Sequence, residues 1–220
     1  MTYLLCFFFL LFSFRLSAEE DSRGVRMGIF LDTETSGLDA KQQHLIEIAF
    51  KVVDMSNGKL LHAYDSVISI SEEEWKQRSS EALEVNGFYW GLISMGLDRS
   101  IVKKQIEKIF QNLSIRKDNA CYICQNPSFD RAFFAQLFSE EEQYQHAWPY
   151  HWLDFSSMHW ALQAKEYVKD SNASWKPIGF SKDAIAKEHG LEVEQKPHRA
   201  MQGVDHLIQL YRAIVGFKPS

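Results

Sequence analysis

Apolar positions divide the chain into strand-like and helix-like stretches. Residues 28–31 form a short apolar run ending in Asp32-Thr33-Glu34-Thr35-Ser36-Gly37, the mark of a buried strand that delivers polar side chains before a glycine turn. Two further apolar runs, 45–53 and 60–70, flank Ser56-Asn57-Gly58-Lys59, and Asn-Gly between such runs is a strong hairpin signal. An antiparallel meander of three strands is therefore expected. From Ile101 to Leu113 the period changes: Val102, Ile106, Ile109 and Leu113 mark a helix with one buried face. A fourth strand over 120–125 follows.

Asn126-Pro127 supplies an N-cap and a first-turn proline for a helix whose core face is Phe129, Phe133, Phe134, Leu137 and Phe138. A short fifth strand ends near Leu153. Asp154 or Ser156 can cap a helix running towards Tyr167, and Ser181 caps another that stops at Gly190. The last helix carries Met201, Val204, Ile208, Tyr211 and Val215 on one side. Between the two middle helices, residues 168–179 read as a polar loop containing Trp175 and Pro177, the stretch expected to move most. This order predicts an α/β fold: a mixed five-stranded sheet, three antiparallel strands and then parallel ones, flanked by helices. Ligands of such sheets sit at strand ends where the connection order changes.

Composition narrows the function classes. With 220 residues and 45% apolar content the chain can bury one good core. A formal net charge of -5 argues against a long electrostatic groove for duplex DNA, because that kind of binding depends on Lys and Arg neutralising phosphates. A nucleic-acid enzyme with this balance would grip only a few nucleotides. Three cysteines cannot form a small secreted disulfide framework, which makes a reducing, cytoplasmic compartment the default. Cys121 and Cys124 form a lone CxxC in an expected strand, so their side chains point to opposite faces and core packing is favoured over zinc or redox chemistry.

Residues 3–14 are apolar but too short to span a bilayer, and Leu16-Ser17-Ala18 offers a cleavage site of signal-peptide type. No Lys or Arg precedes the apolar run, and Met27 stands immediately before the first strand. Two readings stay open: residues 1–18 direct export, or translation starts at Met27 and residues 1–26 lie outside the natural protein. Either way the expected organisation is an apolar extension over 1–26 and one domain over 27–220, with no membrane contact in the mature form.

Asp32 and Glu34 lie two apart on a strand, so both carboxylates leave the same face and can converge on one cation of the Mg2+ or Mn2+ class. Such a pair is more often a solvated strand end. Asp130 lies among the apolar positions of its helix rather than opposite them, and a carboxylate there needs a partner. A first-turn acid favoured by the helix dipole explains it equally well.

Taken together, these motifs resemble the DEDDh family of 3'-5' exonucleases over 27–215. The first motif is similar to Phe30-Leu31-Asp32-Thr33-Glu34-Thr35-Ser36-Gly37-Leu38, followed by Leu45-Ile46-Glu47-Ile48-Ala49. Asn126-Pro127-Ser128-Phe129-Asp130 resembles the second, and Lys196-Pro197-His198-Arg199-Ala200 with Asp205 the third. Glu84-Val85-Asn86-Gly87-Phe88 resembles the turn before the family's central helix, and Leu153-Asp154 its fifth strand end. The family usually places four residues between the third-motif His and Asp, whereas six lie between His198 and Asp205. His198 could equally be a surface loop histidine and Asp205 a solvated helix acid.

The resemblance implies a ribonuclease H-like fold and a metal-dependent phosphodiester hydrolase that releases nucleoside 5'-monophosphates from single-stranded DNA or RNA 3' ends. It further implies two metal ions about 4 Å apart, held by Asp32, Glu34, Asp130 and Asp205, with His198 as general base. Phe88, Thr35, Asn126 and Arg199 are the expected substrate contacts; Phe88 would stack on a terminal base, and Lys196 and Arg199 flank His198 near a phosphate. Among the other large aromatics, Tyr89, Trp90, Trp148, Trp152, Trp160 and Trp175, core packing is expected for most. The acidic runs 72–74 and 140–142 read as solvated faces. DNA and RNA are not distinguished, and the oligomeric state stays open between monomer and homodimer. A catalytically silent binding module on the same fold is the alternative, suggested by the irregular third motif.

Overall fold

The computed structural model describes residues 24–169, 174, 175, 177 and 179–218. The expected N-terminal extension up to residue 23, and much of the expected polar loop, lie outside the described residues. Five strands, β1 (Met27–Thr35), β2 (Leu45–Asp54), β3 (Lys59–Val67), β4 (Ala120–Cys124) and β5 (Trp152–Asp154), form one sheet in the order β3-β2-β1-β4-β5. The first three pair antiparallel, and β4 and β5 run parallel to β1, as the sequence predicts. The order turns back at the β1/β4 boundary, and there the candidate acids gather.

Nine helices are described: α1 (Glu72–Lys76), α2 (Ser80–Asn86), α3 (Trp90–Ile93), α4 (Arg99–Asn112), α5 (Pro127–Phe134), α6 (Glu140–Gln145), α7 (Phe155–Lys169), α8 (Lys182–Glu188) and α9 (Ala200–Ile214). Both acidic runs expected to be solvated faces are short helices. Ser71 with Glu74, and Ser139 with Glu142, make reciprocal capping boxes at the starts of α1 and α6.

Alternation along the strands splits the interior into two layers. Ile29 and Leu31 of β1, with Phe50 and Tyr122, pack against Val102, Ile106 and Phe110 of α4 and Phe133 and Phe134 of α5. On the opposite face Phe30, Ala49 and Ile123 meet Ile185 of α8 and Ala200, Val204, Leu207 and Leu210 of α9. Cys121 belongs to this second layer and Cys124 to the first, and both are free thiols. Burial pushes the Cys121 thiol up to about 11 and raises Cys124 further above its usual range, so both behave as small apolar residues. No helix among the described residues is long and apolar enough to cross a membrane.

Candidate active site

Because Phe30 faces α8 and α9, the alternation of β1 sends Asp32 and Glu34 to the same side, at the C-terminal end of the strand. Asp32 meets α9 at Gly203, where a Cβ would fall 2.0 Å from Asp32 Oδ2. Only a glycine lets the helix come this close. Thr33 points the other way and donates from Oγ1 to Asp130 Oδ1 at 2.8 Å, drawing the α5 carboxylate to the strand end.

These carboxylates are deprived of water and disturb one another. Burial, with the Asp32 charge second, pushes Glu34 up to about 8. Burial and again Asp32 hold Asp130, only 3% exposed, well above the usual carboxylate range. Asp32 is itself raised by burial, with Lys182 pulling against that shift. The result is a pocket of oxygen donors short of positive charge, of the kind that suits a hard divalent cation.

One cation is already there. Lys182, at the start of α8, places Nζ 3.2 Å from Asp32 Oδ1 and 3.0 Å from Glu194 Oε2. Burial would lower its pKa, but Asp32 and Glu194 outweigh it and hold the ammonium charged. The Glu194 side chain is only 4% exposed, and its Oε1 has no hydrogen-bond partner. Burial alone would raise Glu194; His206 and Lys182 prevail and hold it at about 2. His206 Nδ1 stands 3.9 Å from Glu194 Oε2, too far for a well-formed hydrogen bond.

His198 also faces this cleft. Its backbone N–H donates to the Val85 carbonyl at 3.0 Å, which ties its loop to α2, and its imidazole is near enough to Asp32 and Glu194 to favour their ionised forms.

The structure does not bring Asp205 to the other acids. Asp205 is half-exposed and pairs with Lys51 of β2, beside Leu60 and Arg212. The reason is helical phase: α9 is regular from Ala200, the residue facing Asp32 is Gly203, and two residues further on the side chain has turned by roughly 200°. Extra residues between His198 and Asp205 are not absorbed by a wider turn, and position 203, five after His198, offers no carboxylate.

Other expected contacts also have different roles. Phe88 is 3% exposed and packs with Ile46, Trp75 and Ile93, while its neighbour Tyr89 is 62% exposed. Arg199 lies over the Phe88 ring and grips buried Glu47 through Nε at 3.1 Å and through a terminal amino group, which commits one edge of its guanidinium inwards. Glu47 also accepts the Ala200 N–H at 2.8 Å, satisfying a first-turn donor of α9. Thr35 is buried, donates to the Gly37 carbonyl at 2.6 Å and accepts at its own carbonyl from the Asn86 amide. Asn126 adopts a left-handed conformation (φ 55°) before α5 but makes no side-chain cap; its N–H donates to Asp154. With Leu38, Lys41 and Phe129 it lines an open groove of about 520 Å³ beside the helix that carries Asp130.

Lys182, Glu194 and Gly203 were not singled out as site residues by sequence reasoning. Only Gly203 carried a usable signal, its five-residue offset from His198.

No protein-family model matches the sequence, and no curated relative matches it. Solved structures do. E. coli exonuclease I in complex with a dT13 oligonucleotide superposes with a TM-score of 0.65 at 16% identity, covering 86% of this chain and 41% of that one. Its complex with dA16 gives 0.66 at 15% identity over 87% and 41%. The zinc-bound form of the E. coli ExoI–ssDNA complex gives 0.65 at 16% identity over 86% and 40%. The likeness establishes a ribonuclease H-like fold, and this chain spans about two-fifths of the length of those proteins.

Proposed function

We propose that the chain is a metal-dependent nuclease that removes nucleotides from 3' ends of single-stranded nucleic acid. One observation carries the reading: Asp32, Glu34 and Asp130 come from two elements to one strand end, largely out of water, and burial first, with the Asp32 charge second for Glu34 and Asp130, raises their proton affinities. A binding module gains nothing from such a destabilising cluster, whereas a divalent ion relieves it.

The all-oxygen donor chemistry of Asp32, Glu34 and Asp130 suits an ion of the Mg2+ or Mn2+ class, around which their more widely spaced oxygens would have to close, and such an ion would stabilise negative charge developing on the transferred phosphate. The fourth carboxylate is then Glu194, reaching in from the loop before α9 with an unpartnered oxygen, and Lys182 adds a fixed positive charge beside it. His198 would accept the proton of an attacking water. The groove past Asn126 and Leu38 receives the terminal nucleotides, and the exposed Tyr89 is a stacking surface in place of Phe88. Single-stranded DNA is favoured as polymer because the exonuclease I neighbours hold dT13 and dA16 oligonucleotides.

The test is digestion of matched 5'-labelled single-stranded DNA and RNA with Mg2+ or Mn2+. Stepwise shortening from the 3' end, abolished by EDTA and by Asp32→Ala, is expected; undiminished shortening in chelator refutes the metal reading.

A second reading has its own support. Gly203 removes a carboxylate from the α9 face, and Lys182 occupies Asp32. If labelled DNA is bound but never shortened with either metal, the chain is a silent nucleic-acid-binding module.

A further inference from the structure

A separate group of metal-ligating side chains lies at the far end of α8. His159, in α7, meets Glu188 and His189, the last residue of α8 and the one after it; among the described residues this is the group of three whose ligand atoms already lie within 4.8 Å of one another, whereas the acids around Asp32 are more widely spaced and would have to draw in around an ion. His159 Nε2 is 3.1 Å from His189 Nε2 and 3.7 Å from Glu188 Oε2. A tetrahedral zinc ion with bonds of 2.0–2.1 Å spaces its ligand atoms by roughly 3.3–3.4 Å, so both separations are close to edges of such a polyhedron.

The arrangement is poor as a plain hydrogen bond. The His159 ring is fully buried and its Nδ1 has no partner. If Nε2 donates to His189, Nδ1 is a buried lone pair without a donor; if Nε2 accepts, Nδ1–H is a buried donor without an acceptor. Either tautomer leaves Nδ1 unsatisfied, and a metal on Nε2 does so equally, because the proton then sits on Nδ1; what a metal adds is one centre for both Nε2 lone pairs and the Glu188 oxygen, which a single hydrogen bond cannot join. Burial also lowers the His159 pKa, against the pull of Glu188, so the ring is neutral and has a lone pair to give.

We propose that His159, His189 and Glu188 form a binding site for a zinc-class divalent ion, held by two imidazole Nε2 atoms and one carboxylate oxygen, with a fourth position open to solvent. Imidazole donors separate this site in chemistry from the all-oxygen cleft at Asp32. The seven residue steps from Lys182 to His189, at the C-terminal end of α8, rise about 10 Å, which separates the two sites in space as well. The ion would pin the end of α8 to α7, and so fix both the helix that aims Lys182 and the start of the loop carrying Glu194 and His198. The site does not depend on the nuclease reading.

The experiment is zinc titration of the full metal-stripped chain against a chromophoric chelator, with thermal melting in parallel, in an Asp32→Ala background that silences the acidic cleft. One equivalent of zinc, a rise in Tm, and the visible absorption of four-coordinate cobalt on Co2+ substitution are expected, all lost on adding His189→Ala. Glu188→Gln, at an exposed position, should weaken zinc binding about ten- to a hundredfold, and it decides the matter alone if the His189 variant does not fold. Zinc stoichiometry and Tm rise unchanged in either variant, or no zinc held by the Asp32→Ala chain, overturns the proposal.

Discussion

The ammonium of Lys182 lies 3.2 Å from a carboxylate oxygen of Asp32, on the side where α9 presents Gly203 instead of an acid. Positive charge thus stands at a corner of the cleft where the third-motif pattern of the resembled exonucleases calls for negative charge. Both partners are largely buried, their side chains 14% and 15% exposed, so solvent screens the pair weakly. A metal ion entering beside Asp32 must therefore share that carboxylate with a lysine.

This competition predicts the behaviour of Lys182→Met. Removing the ammonium leaves Asp32 and Glu194 facing one another without a counter-charge, and the cleft becomes more negative by one unit. Mn2+ affinity measured by calorimetry should rise roughly tenfold, which corresponds to about 1.4 kcal/mol, while the metal-free variant melts at a lower temperature. Affinity that is unchanged or weaker would mean that Lys182 and the ion do not share Asp32.

A pH dependence follows from Glu34. Its pKa in the folded chain is about 8, against 4.5 for the free group, so between those values the folded state keeps a proton that the unfolded state has lost. Metal-free stability is then highest at low pH within this window and falls as pH rises from about 4.5 to about 8, by at most roughly 1.4 kcal/mol per pH unit for this group. Asp130, shifted in the same direction, adds to the slope. A cation displaces these protons, so Mg2+ or Mn2+ should raise Tm more at pH 8 than at pH 6. A metal-induced shift that is equal at both values would remove the carboxylates from the metal site.

Much of this site could be read from the chain because its elements are local. The alternation of β1 sends Phe30, Asp32 and Glu34 to one face, and the proline at the start of α5 fixes where Asp130 emerges. The capping boxes of α1 and α6 are also written in the chain as Ser-x-x-Glu, inside runs whose acidity alone would suit a solvated loop equally well. Lys182 and Glu194 were hidden for a physical reason: Lys182 reaches Asp32 across 150 positions, and Glu194 meets Lys182 from 12 positions further along the chain, and no spacing rule joins either pair. The inward turn of Phe88 and Arg199 was not legible, because turn residues beside a motif look accessible, whereas burial of Glu47 recruits Arg199 inwards over the Phe88 ring.

Gly203→Ala sets two magnitudes against each other. Alanine in a helix interior gains about 1 kcal/mol over glycine. Here the new methyl would sit 2.0 Å from Asp32 Oδ2 and 2.9 Å from Lys182 Nζ, and Asp32 cannot swing away without breaking its ion pair. Overpacking of this kind costs roughly 1–3 kcal/mol, so net destabilisation is expected in a urea melt, together with weaker metal binding. A more stable Gly203→Ala protein would show that α9 does not press on Asp32.

Asp205→Ala and Glu194→Gln separate the two carboxylates offered for the fourth position. Asp205 pairs with Lys51 in a half-exposed ion pair, and such pairs contribute about 0–1 kcal/mol, so its removal should barely move Tm and leave the hydrolysis rate within about twofold. Glu194 is buried against Lys182 with one oxygen unpartnered; its amide keeps the shape but not the charge. If that oxygen belongs to the metal site, Glu194→Gln weakens Mn2+ binding and lowers the rate by at least about tenfold, and raising the metal concentration recovers part of the loss. The opposite ranking, with Asp205→Ala inactive and Glu194→Gln unaffected, would require α9 to turn by roughly 200° from its observed phase, against the burial of Val204, Leu207 and Tyr211 that holds it.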